Sequence, residues 1–149
     1  MLDNVIFYVL EKTIKRYRQF AQNHIDRAGL PITVDQWLVL NVIQESPALG
    51  QTEIAERVFK DQASVARIID LLVKKELLIQ STSQHDRRRV DRSITPQGWA
   101  LLKAVAPIVA HYRSQALQGL PESAIEQLRH TLEAIYANCQ SPADEQTGN

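Results

Sequence analysis

Between Leu49 and Gly98 the sequence LGQTEIAERVFKDQASVARIIDLLVKKELLIQSTSQHDRRRVDRSITPQG changes its apolar periodicity twice, and few folds accommodate that order. Val65, Ile68, Ile69 and Leu72 recur at i, i+3, i+4 and i+7, the apolar stripe of an amphipathic helix, with Arg67, Asp70 and Lys74 turned the other way. Ahead of it, Thr52 to Val58 predicts a helix of two turns, with Thr52 or Gln51 placed to cap its first free N–H groups. Lys60 and Asp61 form the turn between the two, and Asp61 is suited to accept hydrogen bonds from the first amides of the second helix. Two short helices joined in this way are a helix-turn-helix, although such turns often contain Gly and this one does not.

The period then shortens to two. Leu77 to Ser81 and Val90 to Ile94 read as short strands, separated by the polar segment Thr82 to Arg89. A hairpin with a basic tip, set directly after a helix-turn-helix, is a wing. The expected fold is mostly α, or α+β with a small β wing: a winged helix-turn-helix over residues 33–95, with dimerisation helices over 1–28 and 96–139. At 149 residues the whole chain, 1–149, fits a single domain with a sizeable core.

Asp86-Arg87-Arg88 followed by Ile94-Thr95-Pro96-Gln97-Gly98 resembles the MarR family of bacterial transcriptional regulators. The wing of that family commonly reads Asp-Arg-Arg and then, after a few residues, Leu/Ile-Thr-x-x-Gly. The likeness extends through the helix order from Val5 to Tyr136. The family usually has Gly where this chain has Glu76, and often Arg where it has Gln80. The resemblance implies a homodimer built from the N- and C-terminal helices, which presents two reading helices to successive major grooves of a pseudo-palindromic operator in double-stranded DNA. It further implies that a wing arginine enters the minor groove while the aspartate orients it through a salt bridge. That makes Asp86 the positioner and Arg88 the inserted residue, with Arg87 or Arg89 on phosphate. The expected function is a sequence-specific, ligand-responsive repressor.

Equal numbers of basic and acidic residues give a formal net charge of zero, which on its face argues against a nucleic-acid partner. The distribution reverses that impression. Residues 57–92 hold nine Lys/Arg against five Asp/Glu, whereas 1–56 hold five against seven and 93–149 three against five. Residues exposed in the first turn of the second helix, Gln62, Ala63 and Ser64, together with Thr52, are candidate DNA contacts. Arg67 lies one turn further along, where its fork suits guanine O6 and N7; a surface pair with Asp70 is the alternative. Three clustered guanidinium groups, Arg87, Arg88 and Arg89, exceed what Asp86 neutralises.

Outside the winged segment, Val5 to Ala28 keeps helical spacing for about six turns, more stripe than one small core covers. Lys12, Lys15, Arg16 and Arg18 read as a solvated face. Thr33 and Gln36 form a capping box for a helix carrying Trp37, Leu38, Leu40 and Ile43, closed by Ser46 and Pro47. Thr95 and Pro96 restart a helix in which Pro107 is expected to bend or break the run. Gly119 and Pro121 precede a last helix with Ile125, Leu128, Leu132, Ile135 and Tyr136, and the polar tail from Ser141 to Asn149 is expected to fray.

Tyr17, His24 and Trp37 form the candidate site for a small aromatic or phenolic effector, on the resemblance and on their expected closeness. No pair of Cys or His has metal-ligand spacing, and there is no Gly-rich phosphate loop or Gly-x-Ser-x-Gly, so no enzyme, metal or cofactor is expected. The lone Cys139 fits a reducing compartment. Thiol-sensing members of the resembled family carry their cysteine in the first helix instead, so Cys139 reads as inert. No apolar run has membrane length, and a cytoplasmic location follows. The competing reading is a winged-helix module that binds another protein rather than DNA.

Overall fold

The computed structural model describes residues 1–140; the tail from Ser141 lies outside the described residues. A short 3-10 turn, Leu2–Asn4, leads into α1 (Ile6–Arg27), α2 (Val34–Glu45), α3 (Gln51–Val58) and α4 (Gln62–Lys74). The hairpin β1 (Leu78–Thr82) and β2 (Val90–Ile94) follows, then α5 (Pro96–Ala116) and α6 (Glu122–Cys139). The order is that of a winged helix-turn-helix between longer terminal helices. The described residues fall into two compact units, Met1–Arg113 and the part from Ser114 onward, the division lying within α5.

In the first unit the core gathers one face of each helix around α2. Val39 and Leu40 from α2, Ile54 from α3, Val65, Ile69 and Leu72 from α4, and Val105 from α5 are almost wholly buried. Each such side chain contributes about 1.5–3 kcal/mol on leaving water. Gln36, buried at the start of α2, accepts from the Thr33 amide at 3.2 Å and from Lys75 Nζ at 2.9 Å, so the first turn of α2 also holds the end of α4. Asp35 meets Arg18 from α1 and, at 3.2 Å, Lys60 from the turn before α4.

Two helix ends place a residue other than glycine in the left-handed region. Phe59 closes α3 at φ 59°, with Lys60 N–H donating to Ala55 C=O at 3.0 Å. Glu76 closes α4 at φ 60°, with Leu77 N–H donating to Leu72 C=O at 2.9 Å. Both are Schellman-type ends. The second explains why β1 begins at Leu78 rather than at the expected Leu77: the Leu77 amide is already spent on the helix. The register pairs Leu78 with Ile94, Gln80 with Arg92 and Thr82 with Val90.

A corner of four residues joins the hairpin to the helices on either side. Thr95 N–H donates to Leu77 C=O at 3.1 Å, its hydroxyl donates to Glu76 C=O at 2.6 Å, and the same oxygen accepts from Gly98 N–H at 2.9 Å. Gly98 lies against the Leu77 carbonyl so closely that a Cβ there would collide with that oxygen and stand 2.6 Å from Ile94 Cγ2. Glycine at this position is a packing requirement.

Two expectations are corrected. The N-cap of α3 is Gly50, not Thr52 or Gln51: the Glu53 carboxylate reaches back and accepts from Gly50 N–H at 3.0 Å. Of the bend or break expected at Pro107, the break does not occur: α5 runs on through it as one helix. An interior proline costs about 3 kcal/mol. Burial of Leu101, Leu102, Val105 and Val109 to either side is of larger magnitude and keeps the helix continuous.

The second unit contains α6, which buries none of its side chains among the described residues and leaves Leu128, Leu132 and Tyr136 exposed. No helix among the described residues is long and apolar enough to cross a membrane.

Opposite effects are expected at the two ends of this corner. Gly98→Ala lowers stability by about 2–4 kcal/mol, because the obstacle is backbone rather than a flexible side chain. Glu76→Gly raises it by about 0.5–1 kcal/mol by relieving the left-handed strain. Urea unfolding monitored by tryptophan fluorescence measures both.

Candidate nucleic-acid interface

Helix α4 presents its start to solvent because its stripe points inward. Gln62, Ala63 and Arg67 are exposed and Ser64 is half-buried, while Val65 and Ile69 enter the core. Asp61 caps the helix: its carboxylate accepts from the Ser64 amide at 2.7 Å and from the Ser64 hydroxyl at 3.2 Å. The Ser64 amide bond, then its hydroxyl, hold the Asp61 carboxyl below the usual carboxylate range, with Arg67 adding a favourable charge. Arg67 has no ion-pair partner among the described residues, so the expected alternative of a pair with Asp70 is not formed. Thr52 is exposed in the first turn of α3, and the neighbouring Gln51 amide donates to the Gln62 carbonyl at 3.3 Å, joining the starts of α3 and α4.

The wing tip is ordered by its own polar side chains. Ser83, buried at the foot of the loop, accepts on its hydroxyl from the amides of His85 and Asp86 at 3.2 and 3.4 Å. Across the loop Ser83 N–H donates to Arg89 C=O at 2.9 Å. Asp86 accepts on its carboxylate from the Arg88 amide at 2.9 Å, and on its carbonyl from the Arg89 amide at 3.0 Å. The salt bridge from Asp86 to a wing arginine is therefore replaced by a carboxylate-to-backbone bond, which fixes the Arg88 main chain and leaves its guanidinium unpaired among the described residues. Arg87 and Arg88 are both exposed. Arg89 instead turns back, donating to the Ala48 carbonyl at 3.3 Å.

The three candidate effector residues do not form one site. Tyr17, Phe20 and His24 pack edge-on or tilted around the buried Tyr112, with ring centroids 5.9 Å apart for Tyr17–Tyr112 and 6.0 Å for His24–Tyr112. Burial, and then the nearby Tyr17, push the Tyr112 hydroxyl up from its usual pKa. Trp37 lines a separate crevice of about 470 Å³ between α2 and α5, with Trp99, Asn41, Lys103 and Arg113 in its walls. The Arg113 guanidinium lies 5.6 Å from the Trp37 ring centroid, a cation–π contact. Trp99 and Arg113 were invisible as site residues in the sequence, because only the packing of α2 on α5 turns them toward Trp37. Arg92 was missed as well: it is half-buried on β2, and desolvation lowers its pKa from the usual guanidinium value.

An exposed helix start beside an ordered arginine-tipped hairpin defines this unit as a winged helix-turn-helix. Residues 28–89 match the model of the MarR family. The chain is 26% identical over 133 residues to the HTH-type transcriptional regulator MhqR of Bacillus subtilis, covering 89% of this chain and 90% of that protein. It is 29% identical to a candidate transcriptional regulatory protein for the hcr operon of Thauera aromatica over 73% of this chain, and the match spans 64% of that longer relative. Among solved structures, a candidate transcriptional regulator from Pseudomonas aeruginosa superimposes with a TM-score of 0.80 at 28% identity, over 91% of this chain and 99% of the other. BpsR of Bordetella bronchiseptica, described with regulation of its DNA binding by 6-hydroxynicotinic acid, shares the fold at a TM-score of 0.81 and 23% identity, over 91% of this chain and 96% of its own.

The depressed Asp61 carboxyl sets a pH dependence. Its contribution is complete above the unfolded-state pKa and is lost as pH falls through the lower, folded value. Wild type is expected to melt above Asp61→Asn at neutral pH, with the gap closing in strong acid. A gap independent of pH across that range would show that the carboxylate charge has no part in the cap.

Proposed function

We propose that this chain is a sequence-specific DNA-binding transcriptional regulator that works as a homodimer on a pseudo-palindromic operator. The observation that carries this reading is the pair Arg87 and Arg88, exposed and without ion-pair partners among the described residues, at the tip of a loop whose backbone Ser83 and Asp86 hold in place. Ordering a loop costs entropy, and guanidinium groups held together repel unless an anion is near. Duplex phosphates and a narrow minor groove supply that anion. Gln62, Ala63, Ser64 and Arg67 on α4 then face the adjacent major groove, and Thr52 the backbone.

Pairing of two copies accounts for apolar side chains left in water. Leu2, Val5, Ile6 and Phe7 are exposed in the first unit, and Leu128, Leu132 and Tyr136 in the second. A twofold pair would set the two α4 helices about one helical turn of DNA apart.

The α2–α5 crevice supports a small-molecule response. Its volume of about 470 Å³ lies within the usual range for ligand pockets. Two tryptophans and two cations, Lys103 and Arg113, suit an aromatic ring that bears a carboxylate. Such a compound shifts the regulator only by binding more tightly to the state with wrongly spaced reading helices, and it acts in this reading as an inducer of a repressor.

Arg88→Ala is expected to weaken operator binding roughly tenfold or more, to lower the log–log salt slope by about 1.8, about 0.9 for each of the two copies, and to leave the melting curve unchanged. Fluorescence anisotropy on a duplex selected from random DNA reads this, and an unchanged affinity would remove the wing from the mechanism. For the crevice, an aromatic acid that raises the melting temperature of wild type is expected to fail on Arg113→Ala. A panel of such acids without any shift would remove the effector and leave DNA binding standing.

A further inference from the structure

The hairpin is tied to the connection between α2 and α3 by two arginines that the tip does not use. Arg92 sits on β2 opposite Gln80 on β1. Its Nε donates to Gln80 Oε1 at 3.0 Å, and its Nη1 donates to the Leu49 carbonyl at 3.4 Å. Arg89 donates to the preceding carbonyl, Ala48, at 3.3 Å. Ala48 and Leu49 lead directly into Gly50, the N-cap of α3. Two guanidinium groups from the wing thus grasp successive carbonyls of the segment that delivers the helix-turn-helix.

Arg92 pairs only with neutral acceptors. No carboxylate of the described residues forms an ion pair with it, and burial disfavours its charge. A desolvated cation without a counterion is an expensive way to pin a surface strand, and apolar packing would serve stability better. A guanidinium does offer a rigid fork whose separate N–H groups engage two acceptors at fixed angles. An isolated two-stranded hairpin is marginal in water and would otherwise swing about its root at Thr95.

We propose that Arg92, assisted by Arg89, is a positioning residue for DNA binding: it clasps the wing to the α2–α3 connection and so fixes the angle between the hairpin tip and α4. The inference rests on the DNA-binding reading above. Arg92 acts through Arg87 and Arg88 and does not itself touch the duplex. A hairpin held at the right angle before binding avoids part of the ordering cost on the DNA. Lysine at 92 would keep the charge but bring a single flexible ammonium in place of the fork.

The test uses the full chain and a duplex selected from random DNA, titrated across a salt series. Arg92→Lys and Gln80→Ala, neither of which changes net charge, are each expected to weaken binding about tenfold at every salt concentration. Arg92→Met is expected to weaken it at least as much with the salt slope unchanged, since no phosphate contact is lost. In an Arg87→Ala/Arg88→Ala background, Arg92→Lys should cost less than about twofold more, because the clasp then has no tip to place. Additive losses in that triple variant, or a slope lower by about 1.8 in Arg92→Met (about 0.9 for each of the two copies), overturn the inference while DNA binding stands. Equal affinities for wild type, Arg92→Lys and Gln80→Ala overturn it as well. A wild-type chain that selects no duplex overturns the DNA reading and this inference together.

Discussion

The wing hangs from a single threonine. Thr95 bonds through its amide to Leu77, just ahead of β1, and through its hydroxyl to the end of α4 and the start of α5, so three elements meet on one residue. The residue is buried, and each of these polar groups would be costly if left unpaired. Gly98 completes the corner by letting the α5 backbone approach the Leu77 carbonyl. The motif Thr95-Pro96-Gln97-Gly98 is thereby explained without reference to DNA: it sets where the hairpin leaves the helical core. What the hairpin does with its tip depends on that exit.

From this corner outward, order is maintained by polar bonds rather than by apolar burial. Ser83 and Asp86 take up the amides of the tip, and Arg89 and Arg92 reach the carbonyls of Ala48 and Leu49. The arrangement leaves Arg87, Arg88 and Arg67 in solvent, within a chain whose formal charge is zero. A neutral chain with its positive charge concentrated on one lobe attracts an anionic polymer there and gains little non-specific attraction elsewhere. Charge placement, rather than charge total, suits the lobe to a duplex.

Much of this was legible in the sequence because the signals are local. The Thr33–Gln36 box, the Asp61 cap and the Thr95 start each involve residues within one turn, and all are present. The error at the start of α3 has the same scale: Glu53 accepts from the Gly50 amide, a reversed box that a search for Ser or Thr caps passes over. What the sequence hid was tertiary. Tyr17 and His24 share one face of α1 and meet Tyr112, whereas Trp37 belongs to another helix and meets Arg113, so spacing along the chain could not separate them. Arg92 lies between Val90 and Ile94 on one face of β2, and its role depends on carbonyls far away in sequence. Phe59 and Glu76 occupy left-handed positions where glycine was the expected signal.

The central proposal is that α4 and the arginine tip read neighbouring grooves of one duplex, twice, across a twofold pair. Chemical interference separates the grooves directly, since methylation of guanine N7 blocks the major groove and methylation of adenine N3 the minor. On a selected operator we expect two major-groove clusters about one helical turn apart, each with minor-groove interference beside it at an A·T-rich step. A single cluster, or binding indifferent to methylation in both grooves, would contradict the account.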